Sequence, residues 1–225
     1  MSDTYLPQDW LTWTTIVRAA LLPGPPIPHE QLLLVTDMEG RHLRRHEPPT
    51  GVVSRKGAVL LVLYPDMHDL RIPLTVRSNT LSTHSGEVSL PGGATDPDDD
   101  SPTATALREG YEELGIDATA IDVWGTLSPI YIPPSNFYIT PVVGFSKHHL
   151  DLRVNVAEVQ EVITITIREL LDPQRVVVEQ WQRQGMTLQV PFFAIAGHKV
   201  WGATAMILSE FIARIQRNLA NNGAA

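Results

Sequence analysis

The apolar run GAVLLVLYP at residues 57–65 constrains the fold more than any other stretch of this sequence. A continuous run of this kind is typical of a β-strand that is buried on both of its faces. The segment DLRIPLTVRS at 69–78 alternates between apolar and polar residues and predicts the partner strand of a hairpin. Helical and strand patterns follow one another in mixed order along the rest of the chain. This order favours an α+β fold, an α/β/α sandwich, over a regular βαβ series.

Local patterns predict the remaining elements. Segment 8–21 has apolar residues at helical spacing, and 203–220 is typical of an amphipathic C-terminal helix. A short strand at 85–93 ends in Gly92 and Gly93, which we expect to form a tight turn that brings backbone close to the following helix and to a ligand. Strands are also predicted at 31–37, and in IDVWGTLSP and NFYITPVVGF, which the loop IYIPPS joins. Further strands are predicted in the second half of VNVAEVQEVITITI and in MTLQVPFFAI and HKVWGA. The segment RELLDP predicts a helical turn.

Composition and charge exclude several classes of function. The 225 residues carry a formal net charge of −8 and no long block of Lys and Arg, so we do not expect the chain to bind nucleic acid. The absence of cysteine excludes disulfides, thiolate zinc sites and a cysteine nucleophile. The N-terminus lacks the pattern of a signal peptide, and no apolar run could span a bilayer. A cytoplasmic protein without a membrane partner is therefore predicted.

Three carboxylates are crowded into the segment LREGYEELGI at 107–116. Glu109, Glu112 and Glu113 are spaced so that on a helix they share one face, with Cβ atoms about 5–6 Å apart. Such a face is either a solvated acidic surface or a set of oxygen ligands for a hard divalent ion such as Mg²⁺. Arg108 points to a neighbouring face, from which its guanidinium can brace a carboxylate or the adjoining loop.

The helix that carries these glutamates has signals at both ends. Ser101 or Asp100 can cap its N-terminus. Pro102 suits the first helical position, and Gly115 suits the C-terminal stop. A helix from Pro102 to about Gly115 is therefore predicted.

The stretch PGGATDPDDDSPTATALREGYEELGI at 91–116 resembles the Nudix box. That pattern is Gly, five residues, Glu, seven residues, then Arg-Glu-apolar-x-Glu-Glu-x-Gly-apolar. Three positions depart from it: Gly93 is followed by one extra residue, Asp100 stands where the first glutamate is expected, and Gly110 replaces an apolar or small residue. The positions that match in register are Arg108, Glu109, Glu112, Glu113, Gly115 and Ile116.

The resemblance extends to one subfamily. The stretch LTVRSNTLSTHSGEVSLPGG at 74–93, with PSNFYITPVVG and VWGATA, is similar to Nudix enzymes that hydrolyse coenzyme A, which usually have a basic residue at the position of Ser82. This resemblance implies a Nudix-type sandwich with a mixed central sheet over 51–220 and a packed N-terminal extension over 1–50. It also implies metal-dependent cleavage of the pyrophosphate in coenzyme A or its derivatives, giving 3′,5′-ADP and 4′-phosphopantetheine or its acyl form.

The resemblance further implies a cofactor and its ligands. Mg²⁺ or Mn²⁺ is expected, with Glu109 and Glu113 as ligands and Glu112 as a third or water-linked ligand. A metal ion neutralises a diphosphate and lowers the pKa of bound water, which acidic residues alone cannot do. The general base stays open among Glu109, Glu158 and Glu161, because spacing alone cannot place the last two. Arg108 completes the set of candidate catalytic residues.

Candidate substrate-binding residues have structural alternatives. Arg77 could hold a phosphate or pair with an acid such as Glu87. His84 could contact substrate or donate to backbone in a turn. Tyr131 could stack on a base or belong to the core. The basic loop RHLRRH at 41–46 could attract a 3′-phosphate or simply be solvated.

Two functional alternatives stay open. The substrate could be another nucleoside-diphosphate-linked compound, such as a dinucleotide or an ADP-sugar. The domain could instead bind a nucleotide without turnover, which the departures at Ser82 and Gly110 would fit. In each case the partner is a small-molecule nucleotide. Apolar patches on the terminal helices could support a homodimer, and the sequence does not distinguish a dimer from a monomer.

Overall fold

The computed structural model describes residues 6–43, 45, 47–78, 86–183 and 185–222, and in these ranges it has four α-helices and eleven strands. No helix in these ranges is long and apolar enough to cross a membrane. The helices are α1 (Trp10–Ala20), α2 (Pro102–Leu114), α3 (Ile167–Leu171) and α4 (Gly202–Asn222). The strands are β1 (Arg55–Asp66), β2 (Asp69–Arg77), β3 (Val88–Ser89), β4 (Gly92–Ala94), β5 (Ile121–Thr126), β6 (Ile130–Ile132), β7 (Phe137–Ser146), β8 (Val159–Thr166), β9 (Val176–Arg183), β10 (Met186–Ile195) and β11 (His198–Val200).

Eight of the described strands form one mixed sheet. Its main path runs β3-β2-β1-β7-β5, while β4 pairs with β1, β6 with β7 and β8 with β2. Strands β1 and β7 are parallel, and the other pairs are antiparallel. Strands β11, β10 and β9 form a separate antiparallel sheet in that order.

Strand β1 is buried on both faces, as its apolar sequence predicts. Leu61 and Leu63 belong to the larger core, which includes residues of α1 and α4. Leu60 and Val62 belong to a smaller core that includes residues of α2. All four side chains are 0% exposed. The central sheet therefore lies between helices on both sides, and the predicted α+β sandwich with N-terminal and C-terminal helices is confirmed.

Helix α1 closes the larger core from the N-terminal segment. The carboxylate of Asp9 accepts a 2.8 Å hydrogen bond from the backbone N–H of Thr12 and so caps the helix. Trp13 and Val17 lie one turn apart and are fully buried in the same core as α4. Burial of side chains of this size stabilises the fold by about 1.5–3 kcal/mol each.

The prediction of a strand at 31–37 is wrong. Thr36 forms isolated bridges in place of a ladder, and the backbone N–H of Leu33 donates to the hydroxyl of Ser209 at 3.0 Å. Leu34 is only 5% exposed because it reaches the larger core individually. The apolar residues of this segment therefore make separate tertiary contacts and do not belong to a sheet.

Two strands lie where the sequence patterns do not predict them. Strand β9 is exposed along most of both faces, so no period-two alternation marks it. Strand β6 occupies the first half of the segment IYIPPS, which is expected to be a loop, and pairs with the beginning of β7. Its prolines follow immediately as a 3₁₀ turn.

The ends of α2 agree with the sequence signals. The hydroxyl of Ser101 accepts a hydrogen bond from Ala104 N–H at 3.1 Å, so Ser101 is the N-cap. Gly115 has φ of +66° and ends the helix in the left-handed conformation. Gly110, the unusual residue in the pattern, faces β1: a Cβ there would lie 2.8 Å from a methyl carbon of Leu60. Close packing on the sheet therefore favours glycine at this helical position.

Candidate active site

The glycine pair before α2 lies in a strand and not in the predicted turn. Gly92 and Gly93 belong to β4 and pair with Val59 and Ala58 of β1. A Cβ on Gly93 would lie 2.3 Å from a carboxylate oxygen of Glu109. One on Gly92 would lie 2.4 Å from the carbonyl oxygen of Ala58. The expected close approach to the helix therefore holds, although a β-ladder and not a turn produces it.

The two edges of β4 have different partners. The residues immediately before and after β4 form backbone hydrogen bonds with β1. Backbone groups of alternate residues point to opposite edges of a strand, so those of Gly92 and Ala94 point away from β1. There the backbone N–H of Gly92 donates to the carboxylate of Glu113. The carbonyl of Ala94 accepts a 2.9 Å hydrogen bond from Nη2 of Arg108. Backbone groups of β4 thus orient two side chains of α2.

Glu113 is a buried carboxylate with an unsatisfied oxygen. Glu113 is 5% exposed, and its Oε2 is buried with no hydrogen-bond partner among the described residues. Burial, reinforced by the charges of Glu109 and Glu158, raises the pKa of Glu113 to about 7. The charge of Arg77 and the Gly92 N–H act in the opposite direction. An ionised carboxylate in this position needs an additional positive charge.

Glu109 shares this environment. Its side chain is 12% exposed, and burial raises its pKa although the charge of Arg108 lowers it. The carboxylates of Glu112 and Glu158 raise it further. Glu112 lies at the rim of the cluster with its side chain 47% exposed. The structure thus brings Glu109, Glu113 and Glu158 into electrostatic contact, with Glu112 beside them.

Arg108 is anchored by Asp99. Its Nε and Nη2 reach the Asp99 carboxylate at 3.1 and 2.9 Å, and its Nη1 donates to Glu109 at 3.0 Å and Glu112 at 3.1 Å. The hydrogen bond from Arg108 lowers the pKa of Asp99 to about 2. The family pattern draws attention to Asp100, whereas Asp99 makes the ion pair. The acidic loop offers several carboxylates at similar spacing, so only its folded path selects one.

Glu158 reaches the cluster because its loop docks on the end of α2. The backbone N–H groups of Arg153 and Asn155 donate to the carbonyls of Leu114 and Glu113 at 2.8 and 2.9 Å. These carbonyls belong to the last turn of the helix and have no partner within it. The side-chain amide of Asn155 then donates to Glu158 at 3.1 Å. The loop therefore fixes both the helix terminus and the added carboxylate.

Glu161 faces away from this cluster. It lies on the same face of β8 as Ile163 and Ile165. Those two residues belong to the larger core, on the opposite side of the sheet from α2. Its carboxylate lies 3.4 Å from Nε2 of His198 on β11. Of the two later glutamates that the sequence leaves open as a base, only Glu158 is therefore near the α2 carboxylates.

The predicted substrate-binding residues have different positions. Arg77 lies beside Glu113 at the end of β2, and its Nε is buried without a hydrogen-bond partner among the residues that the structure describes. Tyr131 is 4% exposed and donates its hydroxyl to Asn136 at 3.0 Å, so its ring is packed inside the protein. His84 lies outside the described residues, as do two residues of the basic loop at 41–46.

The donors fit a divalent cation but are not arranged as a finished site. Within the described ranges, no three His, Asp or Glu side chains converge on one point at metal-binding distance. The bonds from Arg108 hold Glu109 and Glu112 toward the guanidinium. The orphaned oxygen of Glu113 and the raised pKa values of Glu109 and Glu113 nevertheless show a local deficit of positive charge. Carboxylate oxygens are the ligands that hard divalent ions take.

Comparisons with known proteins identify relatives of this chain. A family model described as the NUDIX domain matches residues 54–184. The Nudix hydrolase NudL of Photorhabdus laumondii is 32% identical over 187 residues, which cover 82% of this chain and 100% of that protein. The chloroplastic Nudix hydrolase 22 of Arabidopsis thaliana is 38% identical over 167 residues, and the match covers 71% of this chain but 55% of that protein. Among solved structures, the Nudix hydrolase RenU from M. smegmatis has a TM-score of 0.46 and 18% identity, covering 84% of this chain and 94% of RenU.

Proposed function

This chain belongs to the Nudix hydrolase family, and we propose that, as a Nudix pyrophosphohydrolase, it cleaves the diphosphate of coenzyme A or its derivatives. The products are 3′,5′-ADP and 4′-phosphopantetheine or its acyl form. The observation that carries the proposal is the buried carboxylate cluster of α2 beside Arg77, whose Nε has no hydrogen-bond partner within the described part of the chain. The segment 74–93, which resembles the coenzyme A subfamily, supplies both this arginine and the glycine strand.

We assign the family's divalent ion, Mg²⁺ or Mn²⁺, to Glu109, Glu113 and Glu112. When bound, such an ion supplies charge neutralisation of the diphosphate and lowers the pKa of a bound water. The role of Arg108 is to position two of these carboxylates, since it bonds Glu109 and Glu112 while Asp99 and the backbone of β4 hold it in place.

The chain's own residues would perform the proton and phosphate chemistry. Glu158 is the proposed general base: it takes a proton from water as the water oxygen bonds to phosphorus and the bridging P–O bond breaks. The phosphate oxygen released by that cleavage keeps the electron pair of the broken bond. Arg77 would donate its Nε–H to a non-bridging phosphate oxygen, where a guanidinium can form two parallel bonds.

A substrate panel tests the proposal. Wild-type protein is incubated with coenzyme A, an acyl-coenzyme A, NADH, ADP-ribose and nucleoside triphosphates in Mg²⁺ or Mn²⁺, and the phosphorylated products are separated. Coenzyme A and its thioesters should give the highest kcat/KM, with 3′,5′-ADP as a product. Glu113→Gln, which keeps the shape of the side chain, should remove most of this activity.

The panel also separates the alternatives. Higher kcat/KM with NADH or ADP-ribose than with coenzyme A would favour another nucleoside-diphosphate-linked substrate. Nucleotide binding measured by calorimetry, without any product in either metal, would favour a silent binding domain. A Glu113→Gln protein that hydrolyses coenzyme A as fast as wild type would show that the assigned roles are wrong.

A further inference from the structure

Asn155, in the loop between β7 and β8, contacts two of the acidic residues at the candidate site. Its backbone N–H donates to the carbonyl of Glu113 at 2.9 Å. Its side-chain amide donates to a carboxylate oxygen of Glu158 at 3.1 Å. One asparagine therefore connects the residue at the end of α2 that we assign to the metal ion with the carboxylate that we assign as the base.

The side-chain amide of Asn155 is oriented by its own loop. Its Oδ1 accepts a hydrogen bond from the backbone N–H of Ala157 at 3.2 Å, as in turns where an asparagine side chain bonds the chain two residues further on. The amide oxygen only accepts and the amide nitrogen only donates. The bond to Ala157 therefore directs the donor side of the amide toward the carboxylate of Glu158.

The backbone of Glu158 is held on both sides. The N–H groups of Glu158 and Val159 donate to the carbonyl of Asn155 at 3.0 and 2.9 Å. The carbonyl of Glu158 accepts a 2.9 Å hydrogen bond from the N–H of Ser78, which directly follows Arg77 at the end of β2. These bonds fix the main chain, so the position of the carboxylate depends on the side-chain torsions of Glu158.

Like charges oppose the position that this carboxylate occupies. The charge of Glu158 acts on both Glu109 and Glu113, so electrostatic repulsion favours rotation of its side chain toward solvent. Among the residues that the structure describes, the amide of Asn155 is the one hydrogen-bond donor to the Glu158 carboxylate. A hydrogen bond to an ionised acceptor is stronger than a neutral one and opposes that rotation.

We propose that Asn155 is a positioning residue that holds Glu158 in place as the general base for diphosphate hydrolysis. Asparagine suits this role because one short side chain must accept from a backbone N–H and also donate to a carboxylate. Aspartate lacks the donor, and the side chain of serine is shorter. The inference rests on the proposed function, in which Glu158 takes a proton from water, and it adds the residue that sets the place of the base relative to Glu113.

Steady-state kinetics of two substitutions tests the role. Asn155→Asp keeps the size and the acceptor oxygen but removes the donor, and Asn155→Ser keeps an acceptor without adding a charge. With coenzyme A, each should lower kcat by about tenfold or more and change KM by less than about threefold, because the proposed contact of Arg77 with the phosphate is unaltered. Unchanged kcat in both variants would overturn the proposal.

Two controls accompany these measurements. Asn221→Asp makes the same chemical change at an exposed position near the end of α4 and should leave kcat unchanged; a loss equal to that of Asn155→Asp would count against the proposal. Circular dichroism and Tm establish that each variant is folded. If Asn155→Asp does not fold, the uncharged Asn155→Ser decides the outcome.

A double-mutant cycle distinguishes positioning of the base from general support of the loop. In a Glu158→Gln background, Asn155→Ser should lower kcat by less than about a further twofold, because no base remains to be positioned. A residue that only supports the loop would lower kcat by the same factor in both backgrounds, and that additive result would overturn the proposal.

NMR of the Asn155 side-chain amide gives a readout that does not depend on turnover. Its NH₂ signal is identified by its absence in Asn155→Asp. In EDTA, this signal should shift in Glu158→Gln and stay in place in Glu161→Gln, since Glu161 lies on the other face of the sheet. Equal shifts in the two variants, or a shift in neither, would overturn the proposal.

The same cycle separates this inference from the choice of substrate. If ADP-ribose or NADH is cleaved in place of coenzyme A and the cycle with that compound is non-additive, the role of Asn155 is supported and the coenzyme A proposal fails. If coenzyme A is hydrolysed but the cycle is additive, the role of Asn155 is refuted and the proposed function stands.

Discussion

Replacing Glu113 with glutamine tests whether this buried carboxylate destabilises the metal-free protein. Ionised Glu113 loses hydration on burial and lies near Glu109 and Glu158, which both oppose its charge. Glutamine keeps the acceptor oxygen for the N–H of Gly92 and removes the charge. We therefore expect Glu113→Gln to be more stable than wild type in EDTA at alkaline pH, although it loses activity.

The expected magnitude follows from the pKa of Glu113, which is raised from its ordinary 4.5 to about 7. Because the folded chain binds this proton more tightly, the group's contribution to stability is full below the unfolded pKa and is lost as pH rises through about 7. The free energy of unfolding of wild type should therefore fall by about 3 kcal/mol between about pH 4 and pH 8 from this group alone. The glutamine variant lacks this loss, which corresponds to a Tm higher by roughly 6–9 °C at about pH 8.

The assay is urea and thermal unfolding of both proteins in EDTA at about pH 5 and pH 8. The stability difference should be about 3 kcal/mol at the higher pH and less than about 1 kcal/mol at the lower one. Glu112→Gln is the control, because its side chain is 47% exposed and should change stability by less than about 0.5 kcal/mol at either pH. A Glu113→Gln protein that is less stable than wild type at pH 8, or equally shifted at both pH values, would refute the reasoning.

Three further predictions concern residues around the α2 carboxylates. Gly93→Ala places a Cβ 2.3 Å from a carboxylate oxygen of Glu109, so turnover should fall by about 10²-fold while circular dichroism stays that of the folded protein. Glu158→Gln should lower kcat by about 10²-fold or more, whereas Glu161→Gln, on the other face of the sheet, should leave kcat unchanged; equal effects would contradict the proposed base. Asp99 has its pKa lowered to about 2, so its ion pair adds stability above its unfolded pKa and loses it as pH falls through about 2. Asp99→Asn should therefore lower the Tm at neutral pH and not near pH 2, and a pH-independent change in Tm would count against the ion pair.

Local interactions explain what could be predicted. The ends of α2 follow from a hydroxyl cap at Ser101 and a left-handed stop at Gly115, both decided within a few residues of chain. The carboxylate face of α2 follows from helical spacing, and the two-sided burial of β1 follows from its uninterrupted apolar run. In each case the chemical information lies inside one element, so the sequence carries it directly.

Contacts between distant segments decided the rest. The choice of Asp99 as the partner of Arg108 depends on the path of an acidic loop with several equivalent carboxylates. The position of Glu158 depends on a loop that bonds the last carbonyls of α2. Strand β9 is exposed on both faces, so its sequence has no alternation to read. The sequence determined which groups are present and the helix that carries the acids. Only tertiary structure decided which backbone and charged groups meet them, because hydrogen bonds and charges act through distances that chain order does not specify.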